Sequence, residues 1–357
     1  MNMRAAGGAM KPVVIAARIR WRYRKMPGAR SLIGAVIILL IFGAGGARGV
    51  ARSSIQRTKA PPQAAALGYT VHTFHSSFDP KLVDTADTRK PGFQWYRGQF
   101  FGFPATQPDT LTLNKGGGIT LDGKPGASAS INSASPAPGG WVGSAFGGGG
   151  YFEATLKFNP EDSISAVDKK AWPAWWSMSI EHMAGLPGQQ WPGQPAGYAH
   201  FIEPDFFEYD VWSFSPHQWY GGAVHDWYGE WKKTCLDGFC NVSNAPGGGT
   251  NFGNFQVRTP VHTDFTRYHR FGFLWSPATA ASKGYAVYYF DGKPTNDKVT
   301  WSLLTDQPPP PGKTSWTFGI IDQQHLVLVL GTGVNEPMTV KSVDVWQKWG
   351  AQNLVQR

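Results

Sequence analysis

Three carboxylates stand at i, i+2 and i+5 in the run His200-Phe201-Ile202-Glu203-Pro204-Asp205-Phe206-Phe207-Glu208-Tyr209. The chemistry that needs two carboxylates a fixed short way apart is cleavage of a glycosidic bond. Where configuration is retained, the two carboxyl groups are about 5–5.5 Å apart. Aromatic and branched residues around the acids suit a half-buried pleated surface, so the run reads as a strand. Residues two apart share a face, which puts Glu203 and Asp205 together. Glu208 falls on the other face unless one residue is inserted between them. A β-bulge at Phe206-Phe207 supplies that residue and returns Glu208 to the side of the other two. Along an extended strand the Cα atoms of Glu203 and Glu208 are roughly 13–16 Å apart, at about 3.3 Å per residue. Two glutamate stems leaning inward, helped by the bulge, narrow that gap. On spacing alone, three surface acids on an edge strand give the same pattern. Acids crowded on one face titrate at separated pH values.

The surroundings of the motif define what must hold it. From residue 67 onward, Gly and Pro punctuate short aromatic-rich segments every 8–12 residues or so, the pattern of an antiparallel two-sheet sandwich. No segment there reads as a long amphipathic helix. Gly116-Gly117-Gly118, Gly147 to Gly150 and Gly247-Gly248-Gly249 lack the Lys-Ser/Thr of a phosphate loop and any βαβ setting. They read as turns and loops.

The chain has 357 residues, 33 Lys and Arg against 24 Asp and Glu, and a net charge of +9. Residues 1–60 hold 12 of the basic residues and no acidic one, so the remainder carries 21 against 24, or −3. The basic charge belongs to the leader and gives no reason to expect nucleic-acid binding. Arg18, Arg20, Arg22, Arg24, Lys25 and Arg30 precede an apolar run from Leu32 to Phe42 and then small residues, the order of an export signal. The run is shorter than the ~20 residues that a spanning helix prefers. Residues 1–50 are therefore expected to be a signal peptide, with an uncleaved membrane anchor around 31–47 as the alternative. Either places the remaining domain outside, in the periplasm or beyond. Residues 51–66, with Pro61-Pro62 and several Ala, read as a linker, and 67–357 as one domain. Cys235 and Cys240, flanking an Asp-Gly turn, are candidates for a small disulfide loop in an exported protein. No spacing of metal ligands is evident.

The motif with its flanks resembles the catalytic signature of family-16 glycoside hydrolases, the laminarinase-like β-glucanases, in its bulged form. Gly150-Tyr151-Phe152-Glu153-Ala154 and Trp172-Pro173-Ala174-Trp175-Trp176 resemble that family's Gly-Tyr-Phe-Glu-Ala and Trp-Pro-Ala-Phe-Trp segments. Tyr220 to His225 resembles its Tyr-Gly-Thr-Val-His segment, and Tyr289-Phe290-Asp291-Gly292-Lys293 its Tyr-Val-Asp-Gly-Lys. His325 to Leu330 and Met338 to Trp346 resemble its last two strands. The pieces run in the family's order from about Phe74 to Trp349.

The resemblance implies an all-β concanavalin A-like jelly roll that hydrolyses internal β-linkages with retention, a β-1,3- or β-1,3/1,4-glucan being the default substrate. It implies Glu203 as nucleophile, Glu208 as acid/base, protonated because its neighbours crowd it, and Asp205 as the auxiliary acid between them. It places Trp172, Trp175, Trp176, His225 and Trp227 along a sugar cleft. No cofactor is required, although relatives often carry a structural calcium ion, whose ligands the sequence does not reveal. The expected partner is the polysaccharide alone, acting on a monomer, with membrane contact only through the N-terminal segment. Galactans such as agar or carrageenan, transglycosylation, and a non-catalytic carbohydrate-binding envelope module are the competing readings. Pro204, where the pattern has a branched aliphatic residue, is the departure. Proline forfeits a ladder N–H and is tolerated in sheets mainly at edges and bulges.

Overall fold

The computed structural model describes residues 59–98, 105–165, 172–183, 198–209, 219–230, 240–241, 255–295, 298–303, 318–351 and 353–356. The expected leader and Cys235 lie outside the described residues. The architecture is a two-sheet, almost wholly antiparallel β-sandwich, as the resemblance implies. One sheet runs in the order Lys293–Pro294, Gly284–Phe290, His269–Ser276, Gly150–Phe158, Met338–Gln347, Ile119–Leu121, Leu111–Leu113. The first strand, Val71–Ser76, also pairs with Met338–Gln347. The other sheet runs Cys240–Asn241, Trp219–Glu230, Tyr198–Glu208, Ala174–Ser179, His325–Thr332, Ala129–Asn132, Trp95–Arg97, Val83–Asp84. The motif strand, Tyr198–Glu208, is thus interior to its sheet, between Trp219–Glu230 and Ala174–Ser179. It is not the edge strand that the spacing alone allowed.

Alternation drives the packing. Leu326, Leu328 and Leu330 from one sheet meet Phe152, Ala154, Leu156, Val343 and Val345 from the other in one buried cluster. Each such aliphatic or aromatic side chain contributes roughly 1.5–3 kcal/mol when fully buried. The α-helices among the described residues are short, four to six residues each.

The domain begins earlier than its composition suggests. Pro62–Ala65, inside the stretch expected to be linker, is a helix that starts with Pro at its first position. That position suits proline, whose fixed φ matches the helix and whose missing N–H has no intrahelical partner there anyway. Ala64 is fully buried against an outer cluster formed by Tyr69, Tyr151, Leu274, Val287 and Trp346. A small residue that packs beneath a sheet face belongs to the fold, whatever its low complexity.

Candidate active site

The motif strand is bulged at the expected place. Against Trp219–Glu230, Asp205 pairs with Ala223 and Glu208 with Gly221, so that Phe206 and Phe207 together oppose Gly222. Against Ala174–Ser179, Phe207 pairs with Trp175 and Asp205 with Trp176, so Phe206 is the extra residue. Two consecutive phenylalanines explain it. In a regular strand one of them would face out; with the bulge both are fully buried. Phe206 stacks between Phe152, 5.7 Å away, and Phe273, 4.7 Å away, while Phe207 meets Phe271 at 4.4 Å. The apolar burial of both rings outweighs the local break in the ladder. Gly222, on the partner strand opposite the bulge, lies so near the Tyr288 ring that a Cβ there would come within 2.6 Å of it. The glycine lets Tyr288 reach up from the other sheet and donate to the Ala223 carbonyl at 2.7 Å.

The bulge shortens the span between the glutamates. Glu203 pairs with His225 and Glu208 with Gly221, four positions apart on the partner strand, or about 14 Å at ~3.4 Å per residue. Ile202, Phe206 and Phe207 fill the core. Phe201 joins Ala174, Trp176, Met178 and Val329 in a separate cluster, with Trp172 packed against it. That second cluster lies on the outer face of the sheet, and by alternation Glu203, Asp205 and, after the bulge, Glu208 share it.

Within the trio the environments differ. Glu203 and Asp205 are buried, and Glu208 is half-buried. The Trp172 indole N–H donates to Glu208 Oε1 at 2.9 Å. His225 Nε2 lies 3.1 Å from Asp205 Oδ2. Burial, and then the charge of Glu208, push the Asp205 carboxyl well above the usual carboxylate range. Tyr288, buried beneath the trio, is likewise pushed up by burial and then by the neighbouring Asp205 charge. Of the trio, Asp205 is the most enclosed.

Pro204 has a physical account. Pairing with Ala174–Ser179 covers only Asp205 to Glu208. Upstream, on that same side, the Ile202 N–H donates to the Gln324 side chain at 3.0 Å instead of to a strand. Alternation points the Pro204 backbone the same way, and its carbonyl accepts from the Ser177 hydroxyl at 3.3 Å. The missing N–H therefore faces side chains and leaves no ladder carbonyl without its donor. An interior strand has a local edge where its proline sits.

Of the residues expected along the cleft, Trp172, Trp176 and His225 are brought to the acid face. Trp175 is not. It alternates to the other side, is fully buried, and packs 5.0 Å from Phe206. It belongs to the core because Trp175 and Trp176 are adjacent on a regular part of their strand and must face opposite ways. Trp227 pairs in register with Phe201, and its side chain lies outside the described residues, as does the Cys235–Cys240 pairing. Ser177, Gln324 and Tyr288 support the site and escape sequence reading. Their contacts span 27, 122 and 65 residues, and no local pattern marks them.

Comparison with known proteins finds no matching family profile and no matching curated relative. Several solved structures are similar. An endo-1,3-β-glucanase from Streptomyces sioyaensis shares 17% identity over 80% of this chain and 97% of its own, with a TM-score of 0.46. An immunostimulatory antigen of Mycobacterium tuberculosis described as a pseudo β-1,3-glucanase shares 14% over 78% and 99%, with a TM-score of 0.39. A Bacillus licheniformis β-glucanase shares 13% over 78% and 100%, with a TM-score of 0.35. At this degree of similarity the likeness is one of architecture alone.

Proposed function

We propose that this protein is a retaining endo-glycosidase acting on internal β-linkages of a polysaccharide, with a β-1,3- or β-1,3/1,4-glucan as its first substrate. The observation that carries the reading is the bulge at Phe206, which gathers Glu203, Asp205 and Glu208 on one outer face. Nothing in the packing requires those three acids together; the two phenylalanines alone account for the bulge. In this mechanism the Glu203 carboxylate attacks the anomeric carbon while Glu208 gives its proton to the departing glycosidic oxygen, leaving a glycosyl ester on Glu203. Glu208, now a carboxylate, takes a proton from water, and the resulting attack on the anomeric carbon releases Glu203 with the original configuration. The Trp172 indole N–H donates to Glu208 Oε1 and so orients the carboxyl that transfers the proton. Asp205 stands between the two glutamates as the auxiliary acid, with His225 Nε2 3.1 Å from its Oδ2. Trp172 and Trp176 supply flat rings for stacking against sugar faces.

The test incubates the full chain with laminarin, mixed-linkage glucan, agar and carrageenan, reading released oligosaccharides by mass and the first anomer formed by NMR. Oligosaccharides from one glucan, β-anomer first, absent with Glu203→Gln, support the proposal. Products from a galactan only would reassign the substrate, and products longer than the input would reassign the reaction to transglycosylation. Affinity for a polymer without any product would overturn the enzymatic reading in favour of a binding module.

A further inference from the structure

Among the described residues, one group of side chains outside the acid face has the chemistry of a metal site. His72 Nε2 and His75 Nδ1 lie 2.8 Å and 2.7 Å from the same atom, Asp344 Oδ1. All three candidate ligand atoms lie within 4.8 Å of one another. The two histidines stand on the first strand, Val71–Ser76, and Asp344 on the long strand Met338–Gln347 of the sheet opposite the acids. His75 pairs directly with Asp344. Three positions separate the histidines, so a regular strand would put them on opposite faces. The register shifts between His72 and Phe74, where Thr73 is the extra residue, and this brings both rings outward together.

The cluster is held in advance of any ligand. Thr73 Oγ1 donates to Gln347 Oε1 at 2.8 Å, which anchors the bulge. Gln347 is fully buried, and its amide donates to the Gly147 and Gly149 carbonyls. The buried His72 ring stacks on Trp346, with centroids 4.7 Å apart and planes 5° from parallel. His75 is exposed and leaves a path from solvent. Glu153, in register with Asp344 on the neighbouring strand, adds a carboxylate nearby and is already bonded to the Tyr151 hydroxyl.

We propose that His72, His75 and Asp344 form a binding site for a divalent transition-metal ion of the zinc class, clasping the first strand of the domain to its last long strand. Two imidazoles and one carboxylate match the borderline preference of zinc, which takes nitrogen and oxygen ligands at about 2.0–2.2 Å and completes a tetrahedron with water. They do not match calcium, which takes six to eight oxygens. The structural calcium that the sequence resemblance suggests therefore has no oxygen cage in this cluster. Tetrahedral ligands at that distance stand ~3.3 Å apart, so each nitrogen must stand about half an ångström further from Oδ1, and the two nitrogens, within 4.8 Å of each other, must take that same spacing; the exposed His75 makes most of the adjustment. On binding, the proton that each ring shares with Oδ1 leaves that nitrogen, for the ring's other nitrogen or for solvent, and the ion takes its place. Each histidine is oriented by the sheet before the ion arrives, which reduces the ordering that binding must supply.

The experiment titrates the full, metal-stripped chain with cobalt(II) and zinc(II), following the visible d–d absorption of cobalt, its displacement by zinc, and the thermal midpoint. The expected result is one saturable equivalent, a tetrahedral cobalt spectrum, displacement by zinc, indifference to a hundredfold excess of calcium, and a midpoint that rises with metal concentration. His75→Ala, at an exposed position that leaves the core untouched, should abolish the spectrum and the thermal shift together. Asp344→Asn, which keeps the shape and removes the charge, should weaken zinc at least tenfold. The absence of saturable binding, unchanged binding in His75→Ala, or displacement by calcium at matched concentration would each overturn the proposal.

Discussion

The acid face of one sheet and the His72–His75–Asp344 cluster of the other are both built by a one-residue insertion in a strand. At Phe206 the inserted residue is aromatic and drops into the sandwich between Phe152 and Phe273. At Thr73 it is polar and is pinned by one buried amide, Gln347. The first insertion is held by the hydrophobic core, the second by hydrogen bonds at its margin. The first gathers residues within six positions of one strand; the second joins strands from the two ends of the domain, with His75 and Asp344 separated by 269 positions. A bulge re-aims side chains in either setting, and the identity of the inserted residue decides how firmly they are held.

The proposed division of labour predicts that chemistry fails on one sheet without effect on the other. Glu203→Gln and Glu208→Gln should each lower kcat on laminarin by about 10²–10⁴, with the cobalt spectrum unchanged. Loss of both properties in one variant would mean that the two regions are coupled. The next largest effect concerns the bulges themselves. Phe206→Ala removes a buried ring and should destabilise by about 3–5 kcal/mol in urea unfolding. Thr73→Val removes only the hydroxyl anchor and should cost about 1 kcal/mol; equal losses would break the contrast between them. Trp172→Phe keeps a stacking ring and deletes the N–H donated to Glu208. A hydrogen bond to a charged group contributes about 1.5–3 kcal/mol, so kcat/KM should fall roughly 10–100-fold while the unfolding midpoint holds.

The smallest effect tests whether any histidine–carboxylate contact would serve as well as the proposed metal cluster. His269 Nδ1 and Asp291 Oδ2 are 2.8 Å apart on the same sheet, without a third ligand among the described residues. The Asp291 hydrogen bond raises the pKa of His269. Burial opposes the Asp291 charge, yet the His269 ring and the Arg270 N–H hold its carboxyl below the usual value. The raised histidine stabilises the fold fully below its unfolded pKa of about 6.5, and this is lost as pH rises through its folded value. The depressed aspartate contributes above about pH 3.9, and this is lost as pH falls through its folded value. The midpoint difference between the native chain and His269→Gln should therefore be largest between about pH 4 and 6.5 and fade toward alkaline pH. Cobalt should leave it unchanged.

How far each region was legible follows from the same contrast. The sandwich could be read because alternation and turn residues are local. The Phe206 bulge could be read because Glu208, five positions from Glu203, shares its face only if one residue is inserted between them. Val71-His72-Thr73-Phe74-His75-Ser76 carries no comparable break, since either face could take a histidine, and the partner that selects the outer one lies near the other end of the chain. Trp175 reads as a cleft residue in sequence because a family-like segment names residue types without naming faces. The Pro62–Ala65 helix was read as linker because a run of Ala and Pro gives no sign of the aromatic cluster that covers it.

By itself, the sequence determined the alternation that makes two sheets, the acidic triplet and the place where an inserted residue would bring its members to one face, all properties of neighbours along the chain. Only the tertiary structure decided that Asp205 is the most enclosed of the three acids, that Pro204 lies at a local edge beside Ser177 and Gln324, and that His72 and His75 meet Asp344. Burial, ladder partners and ligand distances arise between residues far apart in sequence, and they exist only once the two sheets have closed on each other.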